Sequence, residues 1–353
     1  MKKLVSLLLS LSLALGLAAC GNGNSANSPA TGTDTPAPGS SAPAQTGSGS
    51  AEGVKVAMSM SGPISDMSWN YTGYMGLKLM EEEGAEITYQ ENVDPASIVE
   101  TFRTYASEGY DMVYINDDSN QEDVVTAAAD FPNTQVFICN GANHTDNVYP
   151  IYFADEDHGF IMGLIAGLLT KTDKIGFVGG LEFTPIIHCA QGFEQGVKYV
   201  NPDAEVVITY IGSMTDVAAA KETAAAMFQS GCDVVVPNAD AASLGVIEAG
   251  EEAGGMTVAC GEGMESVGPT TCAAGVRMDT SVGYKAAFDQ VISGTLPKVG
   301  EAVQKFGIAD GLVLEPTYND GFTAGELTDE MKAAIQAGYD ALKSGEVSVQ
   351  LAD

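Results

Sequence analysis

The sequence predicts an α/β protein made of two doubly wound parallel-sheet lobes. Three observations lead there. Short apolar runs rich in Val and Ile alternate with segments of helical period along most of the chain, the pattern of buried parallel strands with crossover helices. Two such sets occur, Val54–Asn140 and Lys174–Cys260, and they share punctuation: "EGYDMVYIND" in the first answers "SGCDVVVPNAD" in the second. About 300 residues remain once a low-complexity N-terminal stretch is set aside, more than a single hydrophobic core usually supports.

The elements follow in order. Strands are expected at Val54–Met60, Glu86–Gln90, Met112–Asn116, Gln135–Cys139 and Val148–Phe153, then at Lys174–Val178, Glu205–Ile211, Asp233–Val236, Met256–Cys260 and Thr271–Arg277. Helical period fills the intervals at Trp69–Glu82, Pro95–Ser107, Gln121–Asp130, Asp157–Thr170, Ile186–Val200, Asp216–Gln229, Ala242–Ala253 and Ser281–Ser293, with a last helix at Thr328–Ser344. No run after the N-terminus approaches the ~18 apolar residues of a membrane span.

The N-terminus reads as a targeting segment. Met1-Lys2-Lys3 is a positive n-region, Leu4 to Leu17 an apolar h-region, and "LAAC" places small residues before Cys20. Residues 1–19 are therefore expected to be a signal peptide. "LAAC" resembles a bacterial lipobox, which implies that Cys20 is lipidated and becomes the first residue of the mature chain; an ordinary cleavage site with a chance Cys is the competing reading. Residues 20–52 are Gly, Ser, Thr, Ala, Pro and Asn with almost no apolar bulk, so they cannot bury enough surface to fold. They read as a tether with a reach of about 30 Å.

The formal charge is −32, from 47 acidic and 15 basic residues. Such a surface repels phosphate, so nucleic acid is not an expected partner. The six cysteines form no CxxC and no Cys-His spacing for zinc, so neither a metal nor another cofactor is expected. Cys139, Cys232 and Cys260 read as small buried hydrophobes, and a Cys260–Cys272 disulfide stays open. No GxSxG, Walker A or HExxH motif is present, and no enzyme activity is expected.

In open α/β sheets, ligands bind beyond the carboxyl ends of the strands. That rule selects Asp66, Trp69, Asn70, Asp117 and Asp118 in the first set, and Phe183, Asn238, Asp240 and Glu262 in the second. Trp69 is the single tryptophan of the chain. It reads either as a plate for an aromatic ligand or as a core residue beneath its helix. Asp66 reads as a ligand contact or a helix N-cap, two roles that can coexist. Asp117, Asp118 and Glu262 read as acceptors for hydroxyl or amine groups, or as solvated loop residues. Arg277 reads as a ligand contact or as a partner neutralising these acids. His144 and His158 are expected to be solvated or capping.

The ordered set "GPISDMSWNYTGYMGL", "GFVGG", "GFEQGVKYVNPD", "YIGSMTD" with "AAAKETA", "GCDVVVPNAD" and "FGIADGLV" resembles the basic membrane protein family of bacterial lipoproteins, the purine-nucleoside receptor type. The resemblance runs from about Val54 to Val313. It implies a type I periplasmic-binding-protein fold with two hinged lobes, a small-molecule ligand in the cleft, and delivery to the permease of an ABC importer. It also implies an extracytoplasmic site anchored to the cell membrane through Cys20. Asp66, Ser68, Trp69 and Asn70 match the family's Asp-x-Ser-aromatic-Asn segment, whose aromatic stacks on the base. Glu262 stands where the family has a ribose-binding Asp, Arg277 where it often has Lys, and Asp240 where it has Gly. Cys189 stands where a second aromatic is usual, leaving Phe183 or His188 to take that place. The implied ligand is a purine nucleoside or nucleobase; the alternative on the same fold is a sugar, a flavin or another small heterocycle. Lobe boundaries are expected at 53–152 plus 262–292 and at 153–261 plus 293–353.

Overall fold

The computed structural model describes residues 49–301 and 303–352. The signal segment 1–19, Cys20 and the tether up to residue 48 lie outside the described residues. Two six-stranded sheets dominate the fold. The first holds β1 (Lys55–Met60), β2 (Glu86–Gln90), β3 (Met112–Asn116), β4 (Gln135–Cys139), β5 (Val148–Phe153) and β11 (Gln304–Phe306). The second holds β6 (Lys174–Gly179), β7 (Glu205–Tyr210), β8 (Val234–Asn238), β9 (Met256–Ala259), β10 (Cys272–Gly275) and β12 (Thr317–Tyr318). Spatial order is β2-β1-β3-β4-β5-β11 in one and β7-β6-β8-β9-β10-β12 in the other, the same doubly wound topology twice. Pairing is parallel throughout except for β12, an antiparallel edge strand on β10.

The central strands are buried on both faces, so they read as continuous apolar runs; β3 (MVYIN) and β8 (VVVPN) are buried at every position. The helices are α1 (Trp69–Glu82), α2 (Ile98–Ser107), α3 (Gln121–Ala128), α4 (Asp155–Leu169), α5 (Thr184–Val200), α6 (Val217–Gln229), α7 (Ser243–Ala253), α8 (Ser281–Ser293) and α9 (Asp329–Lys343). Helix α4 is apolar nearly all round because it is enclosed by α5, α9 and the second sheet. It meets α5 through glycines: a Cβ on Gly159 would stand 1.9 Å from the Cys189 carbonyl oxygen, and one on Gly196 would stand 2.1 Å from that of Phe160. Among the described residues no helix is long and apolar enough to cross a membrane.

Strand pairing corrects the expected lobe boundaries in two places. Residues 272–275 do not join the first lobe; β10 pairs parallel with β9 in the second sheet. Its Ala/Gly-rich sequence lacks the Val/Ile signature, but its small side chains suit a strand buried at all four positions. Residues 304–306 do not belong to the second lobe; β11 pairs parallel with β5. Both β11 and β12 are too short to leave a period in the sequence. The chain therefore passes between the sheets three times, from β5 to α4, from β10 to α8, and from β11 to β12. The second and third crossings are tied by Asp279 N donating to Leu312 O at 2.6 Å and Leu314 N donating to Arg277 O at 3.0 Å. The five described cysteines, Cys260 and Cys272 among them, are buried free thiols.

Candidate functional site

The carboxyl ends of both sheets open onto one interlobe cleft of about 910 Å³. All ten residues singled out from the sequence line it: Asp66, Trp69, Asn70, Asp117 and Asp118 from the first lobe, and Phe183, Asn238, Asp240, Glu262 and Arg277 from the second.

The β1–α1 joint is built around Asp66. Its carboxylate accepts from the backbone N–H groups of Ser68 (2.9 Å), Asn70 (2.8 Å) and Tyr71 (3.1 Å), and from Asn70 Nδ2 at 2.8 Å. It therefore caps α1, satisfying N–H groups that have no partner inside the helix. Asn70 Oδ1 in turn accepts from Asn116 Nδ2 at 3.3 Å, so the pair forms a buried relay from α1 to the end of β3. Trp69 is half-buried. Its Nε1 donates to the Asn116 carbonyl at 3.1 Å, and its ring meets Phe153 edge-on at 5.6 Å. One side of the indole is thus fixed against the core while the residue still lines the cleft.

Asp240 enters from the second lobe at the end of β8, with φ of 43°, in the left-handed region that a side chain occupies at a cost. Burial, then the facing Asp66, raise its carboxyl to about 7, against a hydrogen bond from Ser68 that lowers it. Asp118 is raised to about 6, by burial first and by neighbouring Asp117 second. Asp117 accepts from Ser119 N at 2.6 Å. Glu262 forms an ion pair with Arg277, which is the neutralising role. Glu262 N also donates to Met67 O at 2.7 Å, joining the loop after β9 to the loop after β1. A Cβ at Gly261 would stand 2.6 Å from that same carbonyl oxygen.

Two cleft residues were missed in the sequence. Asp155 is 5% exposed at the first position of α4, and its carboxyl is pushed well up by burial and then by Glu156, with Asp240 adding to the effect. His158 follows one turn later and corrects its expected solvated role: it is 2% exposed. Its Nε2 lies 2.9 Å from the Val276 carbonyl, an acceptor, so Nε2 carries the proton. Nδ1 is then a bare acceptor, and it has no hydrogen-bond partner. Burial lowers this imidazole to about 4, so it is neutral. The strand-end rule reaches both residues once the helix after β5 starts at Asp155 instead of Asp157. Of the expected second plates, Phe183 lines the cleft. His188 instead pairs through Nδ1 with the Tyr152 hydroxyl at 2.9 Å, and Cys189 is fully buried beneath the wall. His144 packs against Tyr149. Among the described residues no His, Cys, Asp and Glu group has a metal-holding arrangement.

Two hinged α/β lobes closing on a polar, aromatic-walled cleft define a ligand-binding protein of the type I periplasmic-binding-protein fold. The chain belongs to the Bmp family: the family profile, described as "ABC transporter substrate-binding protein PnrA-like", matches residues 53–334. That is a family of substrate-binding proteins, not of enzymes. Over 193 residues the chain is 30% identical to the "CD4+ T-cell-stimulating antigen" of Listeria monocytogenes, covering 53% of this chain and 54% of that protein. Over 189 residues it is 31% identical to the "ABC transporter nucleoside-binding protein BmpA" of Lactococcus lactis subsp. cremoris, covering 52% and 54%. The aligned part thus spans about half the length of these relatives. An ABC transporter solute-binding protein from Conexibacter woesei superposes with a TM-score of 0.68 at 22% identity, covering 84% of this chain and 98% of that one.

Proposed function

We propose that this chain is a lipid-anchored, extracytoplasmic substrate-binding protein that captures a purine nucleoside or nucleobase between its lobes and delivers it to the permease of an ABC importer. The observation that carries the reading is the β1–α1 joint, where Trp69 stands on the cleft wall with one ring edge fixed by Asn116 and Phe153. An aromatic face held in this way is a stacking platform for a base, at about 1–3 kcal/mol. Membership of the family and the printed name of the Lactococcus relative support the same class of ligand.

In this reading Asn70, whose amide already bonds Asp66 and Asn116, turns only its second N–H toward the base edge. Asp117 or Asp118, Asp240, Asn238 and the Glu262–Arg277 pair meet sugar or polar substituents, and Phe183 closes the opposite wall. Lipidated Cys20 and the tether keep the binding body at the membrane, within reach of the permease. Titration calorimetry with nucleosides, nucleobases and nucleotides tests the ligand class: nucleosides bind and nucleotides do not, and silence toward every purine rejects it. Metabolic labelling with a fatty-acid probe, compared with Cys20→Ser, tests the anchor. The cleft volume favours one second reading, a larger ring system such as a flavin, which the same calorimetry separates.

A further inference from the structure

The cleft is rich in acceptors; the donors it adds are hydroxyls such as those of Tyr71 and Thr184 and the buried Nε of Arg277, which has no hydrogen-bond partner. Among the described residues seven carboxyl groups line it, and its one cationic side chain, Arg277, is already paired with Glu262. The donors nearest the aromatic wall are committed within the protein: Trp69 Nε1 to Asn116 O, Asn70 Nδ2 to Asp66, Asn116 Nδ2 to Asn70. At the floor, Asp155 and His158 Nδ1 stand on one turn of α4, and Nδ1 is a buried acceptor with nothing to accept from. Asp240 faces Asp66 from the other lobe. A neutral ligand closed into this site would leave carboxylates buried against one another, an arrangement paid for in desolvation. A cation would relieve it, and an indole face beside it adds attraction of its own.

We propose that the ligand of this cleft is a positively charged, nitrogen-rich ring compound, whose cationic or N–H-bearing edge is held by Asp240 and Asp155 while its face lies on Trp69. This rests on the reading of the cleft as a ligand site and narrows its nucleoside class to cationic or readily protonated members. Because Asp240 and Asp118 are raised toward neutrality, by burial and by the facing Asp66 and Asp117, seating a cation expels protons from them. Asp155, which Glu156 and Asp240 face, adds to that release, while neutral His158 contributes none.

The test is calorimetry of the full chain with matched pairs: adenosine against 1-methyladenosine, guanosine against 7-methylguanosine, and thiamine as a cationic heterocycle without ribose. The methylated cations are expected to bind about tenfold or more tightly than their neutral parents. Titrations in buffers of differing ionisation enthalpy are expected to show proton release on cation binding, with affinity rising between about pH 5.5 and 8. Asp155→Asn and Asp240→Asn are each expected to bring the ratio of cationic to neutral affinity down to about one. Equal binding of charged and neutral partners, with no proton release, overturns the inference and leaves the nucleoside reading standing. Binding of thiamine but of no nucleoside supports the inference and removes that reading. Silence toward all of them overturns both.

Discussion

The backbone N–H of Glu262 donates to the carbonyl of Met67 at 2.7 Å, so the loop after β9 is bonded to the loop after β1 across the cleft mouth. The contact depends on Gly261, whose missing side chain leaves room for the Met67 carbonyl oxygen. Met67 itself has φ of 59°, a left-handed conformation uncommon for a residue with a side chain. Gly261→Ala should therefore hold the lobes apart. We expect a larger radius of gyration in solution scattering with ligand present, and about tenfold weaker binding. An unchanged scattering profile would show that this contact does not govern closure.

Trp69 is the single tryptophan, so its emission reports on the cleft without interference from any other indole. Stacking by a base should quench it, and Trp69→Ala should weaken binding by about 5- to 100-fold. A ligand that binds with no change in emission would place its ring elsewhere.

Asp66 accepts four hydrogen bonds, three of them from N–H groups at the start of α1. Asp66→Ala should cost about 2–4 kcal/mol, the sum of a lost cap and a buried amide left without its acceptor. Chemical denaturation measures this, and a loss under about 1 kcal/mol would mean that water replaces the carboxylate.

His158 and Asp240 give opposite pH dependences. His158 falls from its ordinary 6.5 to about 4 in the fold, so its contribution is present above 6.5 and is lost as pH drops toward 4. Asp240 rises from 3.8 to about 7, so its contribution is present below 3.8 and is lost as pH climbs through 7. His158→Gln keeps an N–H for Val276 and removes the titration, so it should flatten the acid-side loss, by at most about 3 kcal/mol. Asp240→Asn should raise the melting temperature at about pH 8, by about 2 °C or more. Parallel pH–stability curves for these variants and the parent would contradict both assignments.

Where α4 crosses α5, Gly159→Ala places a methyl group 1.9 Å from the Cys189 carbonyl oxygen, and neither helix backbone can yield cheaply. We expect a loss of about 3 kcal/mol or more, or failure to accumulate as folded protein. Gly109→Ala, at a turn with open space but φ of 77°, should cost less, through strain alone.

The sequence made the repeated β-α-β plan legible because central strands buried on both faces must be apolar runs, as in β3 and β8. The strand-end rule pointed to nine residues scattered over the chain, which together with Arg277, marked by the family resemblance, line one cleft. Edge strands β11 and β12, three and two residues long, are defined by their pairing and leave no local period. Strand β10 was legible as a strand, but its sheet was not, because lobe membership depends on where a chain crosses between sheets. Asp155 and His158 were hidden by an acidic first turn, "DEDH", that reads as a solvated helix start. Their burial comes from residues distant in sequence, Val276 against His158 and Asn140 of the other lobe against Asp155, and no local signal records it. The Asp66 cap and the Glu262–Arg277 pair were each among the alternatives the residue types allowed, and geometry selected between them.

The placement of β11 has a consequence for the order of synthesis. The first sheet begins at Lys55 but gains its last strand only with Gln304–Phe306, and α8, the helix packed against α1, arrives just before it. A ribosome has therefore made nearly the whole second lobe before the first can close its edge. The earliest-made lobe thus waits until only β12 and α9 of the later one are still to come, and until then the free side of β5 is an unpaired template that a second nascent chain could join.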